Sequence, residues 1–175
     1  MRTLRVPQSA VGVVVAVLAV ASPSAQTMEK VNYFPDSIAE KDDHVVRLNG
    51  GSSWLLASNP TAAVASEVVV VMRDVLVNGQ KVRAAWLYIN GDEIPAKHVE
   101  GVYPSNPAYL TRVVAAERQG TTLRLADGTE LSVPQYDRHS ISRWVPPYKA
   151  LLTGNRIYLY NLKTGRRVWV QAAKN

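Results

Sequence analysis

The chain has 175 residues and contains no cysteine, an absence that excludes several classes of protein. Disulfide bridges, thiol catalysis, cysteine metal sites and lipid attachment to cysteine are all impossible. The longest apolar run extends from Ala10 to Ala21, well short of the roughly 20 residues that a transmembrane helix needs. Stability must therefore come from buried apolar side chains and backbone hydrogen bonds.

The N-terminal segment has the order of features that is typical of a secretory signal peptide. Arg2 and Arg5 provide a cationic start, the apolar run follows, and small residues around Ala21 suit a cleavage site. We therefore expect residues 1–21 to be removed and the protein to be exported, to the periplasm or the extracellular space. The mature chain is expected to contain no transmembrane segment.

Charge is distributed unevenly along the chain. Residues 26–111 carry 7 basic and 10 acidic side chains, a net charge of −3, whereas residues 112–175 carry 11 basic and 4 acidic, a net charge of +7. This split suits a second half that meets an anionic partner, such as a cell-wall polymer, lipopolysaccharide phosphate or lipid headgroups. Complementarity between the two halves, or simple solvation, would produce the same split. The sequence makes no strong case for nucleic acid.

Helical periodicity is also lacking, and turn signals occur at close spacing between β-favouring runs. Asn78-Gly79 suits a two-residue type I′ hairpin turn, because both residues tolerate positive φ. The resulting register places Asp74 opposite Arg83 and Val71 opposite Trp86. Because both faces of these strands are largely apolar away from the turn, we expect them to be central and buried.

Three further turn signals extend this pattern. Asn90-Gly91 leads into a third strand, which Pro95 assigns to a sheet edge because proline cannot donate to a β-ladder. Ala126-Asp127-Gly128 predicts a three-residue hairpin loop. Leu162–Gly165 predicts the turn of the last hairpin, so the whole chain consists of short antiparallel units.

The sequence therefore predicts an all-β fold: antiparallel hairpins and a meander, arranged as one or two small barrel-like modules of SH3 or OB size after a signal peptide. Residues 22–43 are interpreted as a flexible leader, residues 44–101 as the first β module and residues 109–175 as a basic second module, separated by a proline-containing linker. Val46–Ser52 resembles Leu123–Thr129. This faint echo leaves open whether the modules are repeats.

The residues that could carry catalysis or bind a metal do not converge in the sequence. His44, His98 and His139 are far apart, so neither a metal site nor a cofactor is predicted. Asp137, His139 and Ser140 are the residue types of a hydrolytic triad, but adjacent positions do not supply its geometry. A nucleophile elbow and a Gly-rich phosphate loop are both missing. We therefore predict a protein without enzymatic activity.

The second module contains a cluster of aromatic and cationic side chains. The connection Tyr136–Lys149 interleaves both types, and one face of the last hairpin adds more. Aromatic faces stack on sugars or bases, and arginine binds carboxylates or phosphates through paired hydrogen bonds. The alternative is that Trp144 and the tyrosine–tryptophan face simply pack in the core. The predicted binding residues are Tyr136, Arg138, Arg143, Trp144, Tyr148, Lys149, Tyr158, Tyr160, Arg167 and Trp169.

Together these features favour an exported, non-enzymatic binding protein. Its basic, aromatic C-terminal half would contact an anionic envelope polymer or another envelope protein. One alternative is a structural subunit of a cell-envelope assembly that pairs with a neighbour through exposed strand edges. Another is an inhibitor or immunity-type protein that blocks an enzyme, and a hydrolase is the least favoured class.

Overall fold

The computed structural model describes residues 27–117 and 121–173, so the predicted signal peptide lies outside the described residues. The described residues are nearly all β, which confirms the all-β prediction. The strands are β1 Glu29–Asp42, β2 Val45–Leu48, β3 Ser53–Leu56, β4 Glu67–Val77, β5 Gln80–Ile89, β6 Asp92–Glu100, β7 Asn106–Glu117, β8 Thr122–Leu125, β9 Glu130–Ser132, β10 Tyr148–Thr153, β11 Tyr158–Asn161, β12 Arg167–Trp169 and β13 Gln171–Ala172. A 3₁₀ turn at Gln135–Asp137 and the short helix α1, Arg138–Ile141, connect β9 to β10. No helix of the described part is long and apolar enough to cross a bilayer.

The first six strands form a closed antiparallel barrel, barrel 1. The strand order around it is β1-β2-β3-β6-β5-β4, and pairing of β4 with β1 closes the ring. Alternate residues of each strand point inward, as the period of two of a β-strand requires. The core includes Phe34, Ile38, Val46, Leu48, Trp54, Leu56, Val68, Val70, Leu87 and Ile94.

The remaining strands repeat this arrangement as barrel 2. The pairing runs β7-β8-β9-β13 on one side and β7-β10-β11-β12 on the other. Only Val170 separates β12 from β13, so one nearly continuous strand completes the ring. The core includes Val113, Leu123, Leu125, Leu131, Trp144, Tyr148, Leu152, Leu159 and Val168.

The two barrels share topology and register, so the faint sequence echo marks structurally equivalent hairpins. Every strand pairing of barrel 1 has a counterpart in barrel 2, in the same chain order. In the echo itself, the Leu48 N–H donates to Ser52 O and the Leu125 N–H donates to Thr129 O, both at 2.8 Å. Three further register pairs of barrel 1 have equivalents in barrel 2. Ile38–Leu48 corresponds to Val113–Leu125, Val70–Leu87 corresponds to Leu152–Leu159, and Trp54–His98 corresponds to Leu131–Ala172.

An approximate two-fold axis relates the barrels. β1 pairs with its counterpart β7 in antiparallel register, with Asn32 opposite Pro107 at the centre. Around this pairing the outer faces of both barrels pack together in a junction cluster of Val31, Tyr33, Val69, Val71, Tyr88, Ala108, Leu151, Tyr160 and Leu162. The outer faces of β4 and β5 therefore pack on barrel 2, which explains why both faces of these strands are apolar. The predicted register of the β4–β5 hairpin is confirmed, including Asp74 opposite Arg83.

The prediction of a flexible leader over residues 22–43 is wrong for residues 29–42, which form β1. This strand lies at the centre of the molecule, and its side chains pack in two separate apolar clusters. Phe34 and Ile38 enter the core of barrel 1, whereas Val31 and Tyr33 enter the junction cluster. The alternation of apolar and polar residues is hard to recognise in the sequence, because apolar side chains of the first part of β1 pack in the junction cluster and those of the later part pack in the core of barrel 1.

Two smaller expectations also need correction. The strand that contains Pro95, β6, is not an edge strand, because it pairs with both β5 and β3. Pro95 O accepts a 2.9 Å bond from the Ala57 N–H, so the side of Pro95 that lacks an N–H faces the chain just beyond the last residue of β3. The ladder between β3 and β6 ends at this position, after Leu56 opposite Ala96, so proline costs at most the terminal bond. The second module also begins earlier than predicted, since β7 starts at Asn106.

Candidate functional site

The structure divides the predicted binding residues between the core and the surface. Trp144 and Tyr148 are buried in the core of barrel 2, where their rings pack edge to face with centroids 5.8 Å apart. Both are therefore core residues, which for Trp144 is what the alternative interpretation predicted, and neither ring offers a contact surface. Burial also raises the pKa of the Tyr148 hydroxyl.

The last hairpin brings four of the predicted residues together. In the register of β11 and β12, Tyr158 lies opposite Trp169 and Tyr160 lies opposite Arg167. The Arg167 guanidinium lies 4.5 Å from the centroid of the Tyr158 ring and donates a 3.2 Å hydrogen bond to the Tyr160 hydroxyl. Trp169 packs against Tyr158 with ring centroids 5.2 Å apart. We call Tyr33, Tyr158, Tyr160, Arg167 and Trp169 the arginine–aromatic ladder.

The ladder lies at the junction of the barrels, between two open clefts. One cleft, of about 430 Å³, is lined by Tyr33, Asn106, Thr153, Tyr158, Tyr160 and Arg167, among others. The other, of about 500 Å³, is lined by Asp36, Glu67, Ser140, Tyr160, Arg166 and Arg167, among others. Both volumes lie in the range of small-ligand sites, roughly 300–1,000 Å³. Arg167 is exposed and borders both clefts.

The charge of Arg167 is not neutralised within the described part of the chain. No carboxylate of residues 27–117 and 121–173 forms an ion pair with it, and its recorded partners are tyrosines. The hydrogen bond to Tyr160 raises the pKa of the Arg167 guanidinium above its ordinary value. Burial, reinforced by the neighbouring Tyr160, raises the pKa of Tyr33 to about 12. The ladder thus presents one guanidinium cation among tyrosine hydroxyl groups.

The two-fold counterpart of the ladder provides an internal comparison. Tyr88 opposite Glu93 in barrel 1 corresponds to Tyr160 opposite Arg167 in barrel 2. Glu93 forms ion pairs with Lys149 and, at 3.9 Å, with Arg73. The counterpart position is therefore neutralised by the protein itself, whereas no carboxylate of the described residues pairs with Arg167.

The remaining predicted residues lie around the ladder or away from it. Lys149 is engaged with Glu93 across the junction. Arg138 donates a 3.2 Å bond from its Nε to Val133 O, which ties α1 to the end of β9. Tyr136 and Arg143 are exposed, and no recorded contact brings either of them to the ladder.

The contribution of β1 to the site is not apparent in the sequence. Tyr33 packs edge to face on Tyr160 with ring centroids 5.6 Å apart, and Pro35 borders both clefts. The signal was the presence of Tyr33 beside Phe34 in an otherwise polar stretch. The position of Tyr33 in the site depends on the pairing of β1 with both β4 and β7, which the residues of β1 alone do not indicate.

The three residues of triad type have no shared reactive geometry. Asp137 accepts a 2.6 Å bond from the backbone N–H of Trp169, so its carboxylate anchors the 3₁₀ turn to β12. His139 O accepts a bond from the Ser142 hydroxyl at 2.8 Å. Within residues 27–117 and 121–173, no group of three or more His, Asp or Glu side chains could hold a metal ion. What the ladder provides is a cation, aromatic faces and hydroxyl groups, a combination suited to holding an anion.

No family model, curated protein or solved structure matches this chain.

Proposed function

We propose that this protein is an exported, non-enzymatic binding protein that holds an anionic group of an envelope polymer or envelope protein at Arg167. The group is a carboxylate or a phosphate, because the planar guanidinium can bind either through two parallel hydrogen bonds. The aromatic faces of Tyr158 and Trp169 would contact the sugar or apolar part that carries the charge.

The observation that carries this proposal is that Arg167 is held in a fixed position without a neutralising carboxylate among the described residues. It is held in place by the Tyr158 ring and the Tyr160 hydroxyl, and no carboxylate of the described residues neutralises it. Its two-fold counterpart, Glu93, is paired with cations of the protein on both sides. A guanidinium fixed in one orientation loses less conformational entropy on binding than a free one, which supports a role in recognition.

Binding to two purified polyanions tests the proposal. Polyphosphate and polygalacturonate offer phosphate and carboxylate groups separately, and calorimetric titration of the purified protein measures the affinity for each. We expect one polymer to bind, with affinity that falls steeply as salt rises to about 0.15 M, where the Debye length is about 8 Å. Arg167→Gln should weaken binding by about tenfold or more, because charge-assisted hydrogen bonds contribute about 1.5–3 kcal/mol.

Two control variants distinguish a site from general attraction. Arg167→Lys keeps the charge but loses the paired geometry, so it should retain only part of the affinity. Arg124→Gln removes an exposed cation of β8 that lines neither cleft, and should weaken binding by less than about threefold if the charge acts only at long range. Equal losses in Arg167→Gln and Arg124→Gln would contradict the proposal. So would capture of the same envelope partners by wild-type protein and by Arg167→Gln, with no binding of either polymer.

A further inference from the structure

The hairpin of β4 and β5 extends beyond barrel 1 as a separate feature. Its register pairs continue to Val77 and Gln80 at the turn. However, β1 pairs with β4 only as far as Met72, and β6 pairs with β5 only from Ala85 onward. Residues 73–84 are therefore a two-stranded ribbon, here called the β-arm, with both strand edges unpaired among the described residues.

Barrel 2 shows that the fold does not require this arm. The equivalent hairpin, formed by β10 and β11, turns back directly after Thr153, and its last register pair is Leu152 with Leu159. Barrel 2 completes the same ring of strands with this short hairpin. The β-arm is consequently an addition to the common design, and its role lies outside closure of the barrel.

The arm also exposes apolar side chains near its tip. The exposed fraction is 73% for Leu76, 49% for Val77 and 44% for Val82. A two-stranded ribbon alone is marginally stable in water. Open edges with exposed apolar side chains are the features through which β-strands pair with other chains.

We propose that the β-arm pairs with the β-arm of a second copy of this chain, through the free edge of β4 and in antiparallel orientation about Val75. Such an interface is isologous, since the same edge serves both copies. Val75 and Val82 are register partners within one arm. Val75 opposite Val75 of the second copy would therefore form one apolar row across four strands, with Val82 at each end.

The charges of the arm favour the β4 edge over the β5 edge. Pairing about Val75 places Asp74 opposite Leu76 of the other copy, whose own register partner is Lys81. Opposite charges then share one face of the ribbon two strands apart, roughly 10 Å, and no like charges lie directly opposite each other. Pairing through β5 about Val82 would place Lys81 directly opposite Arg83 in both halves of the interface. Like charges directly opposite each other destabilise a strand pair.

Charge substitutions at Val75, which would face its own copy across the proposed interface, test this arrangement. Light scattering after size-exclusion chromatography over a range of concentrations should show wild-type protein as a dimer. Val75→Lys and Val75→Glu each place like charges opposite themselves and should raise the dimer dissociation constant by about tenfold or more. An equimolar mixture of the two variants should form a heterodimer, because the ammonium introduced in one variant then faces the carboxylate introduced in the other. This rescue excludes misfolding as the cause of dissociation.

A matched control uses Val99, which is 56% exposed on β6 and lies outside the arm. Val99→Lys should leave the dimer intact. A wild-type protein that is monomeric at all concentrations would overturn the proposal, and so would an unchanged dissociation constant in Val75→Lys. If the protein is monomeric but binds vesicles of anionic lipid, and Val77→Asp abolishes that binding, the arm is a membrane contact instead.

Discussion

At the scale of single residues, Tyr33 couples the stability of the fold to pH. The raised pKa of about 12 means that the folded protein retains the hydroxyl proton after the unfolded chain, with an ordinary pKa of about 10, has lost it. The stabilisation is thus fully present below about pH 10 and is lost as pH rises towards about 12. Urea unfolding at a series of alkaline pH values should show this decline, and Tyr33→Phe should make it shallower. An identical slope in the variant would contradict the assignment.

The two tryptophans of the predicted site should respond in opposite ways to truncation. Trp144 is 6% exposed in the core of barrel 2, whereas Trp169 is 38% exposed. Trp144→Ala should lower the free energy of unfolding by about 3–5 kcal/mol, the usual cost of deleting a buried aromatic. Trp169→Ala keeps the backbone bond to Asp137 and should cost about 1 kcal/mol. Chemical denaturation followed by circular dichroism measures both, and equal losses would contradict the burial pattern.

At the scale of elements, two turn glycines with similar backbone angles should differ in importance. Gly79 has φ +79° at the tip of the β-arm, where an added Cβ meets nothing within 4 Å. Gly101 has φ +85°, and an added Cβ would lie 2.3 Å from Gly51 O. Gly101→Ala should therefore cost more than about 2 kcal/mol, since it combines positive φ with a backbone clash.

From the sequence alone, Gly79→Val is expected to cost well over 1 kcal/mol, because a β-branched residue rarely adopts positive φ. Because its turn closes a ribbon outside both barrels, strain can be relieved by local fraying. We now expect Gly79→Val to lower global stability by less than about 1 kcal/mol. Thermal unfolding of both variants decides the order, and a larger loss in Gly79→Val would show that the arm is part of the cooperative unit.

Local signals explain which elements could be predicted. Asn78-Gly79 sets the register of its hairpin by turn geometry, so the pairing of Asp74 with Arg83 followed from neighbouring residues. Whether the strand of Pro95 lies at an edge, and whether the segment of Tyr33 is a strand at all, depend on which strands lie alongside. This property is non-local, so the period-two alternation within one strand cannot reveal it. The same limit applied to the site. The sequence placed Arg167 beside Tyr160, but it could not show that Tyr33 packs there or that Trp144 points into a core.

At the scale of the whole molecule, the pairing of β1 with β7 and the junction cluster should make the two barrels unfold as one unit. If one barrel opened alone, it would expose the apolar outer face of the other, which costs about 25 cal/mol per Å² of apolar surface. Native-state hydrogen exchange should therefore give the same opening free energy for the slowest amides of β5 and of β11.

Leu162 is 1% exposed within the junction cluster. Leu162→Asp should separate the two values, because an unpaired carboxylate cannot remain buried there. Leu55→Asp, at a 44% exposed position of barrel 1, should leave them equal. Different opening free energies in the wild-type protein would mean that the barrels are independent domains joined only by a strand pair.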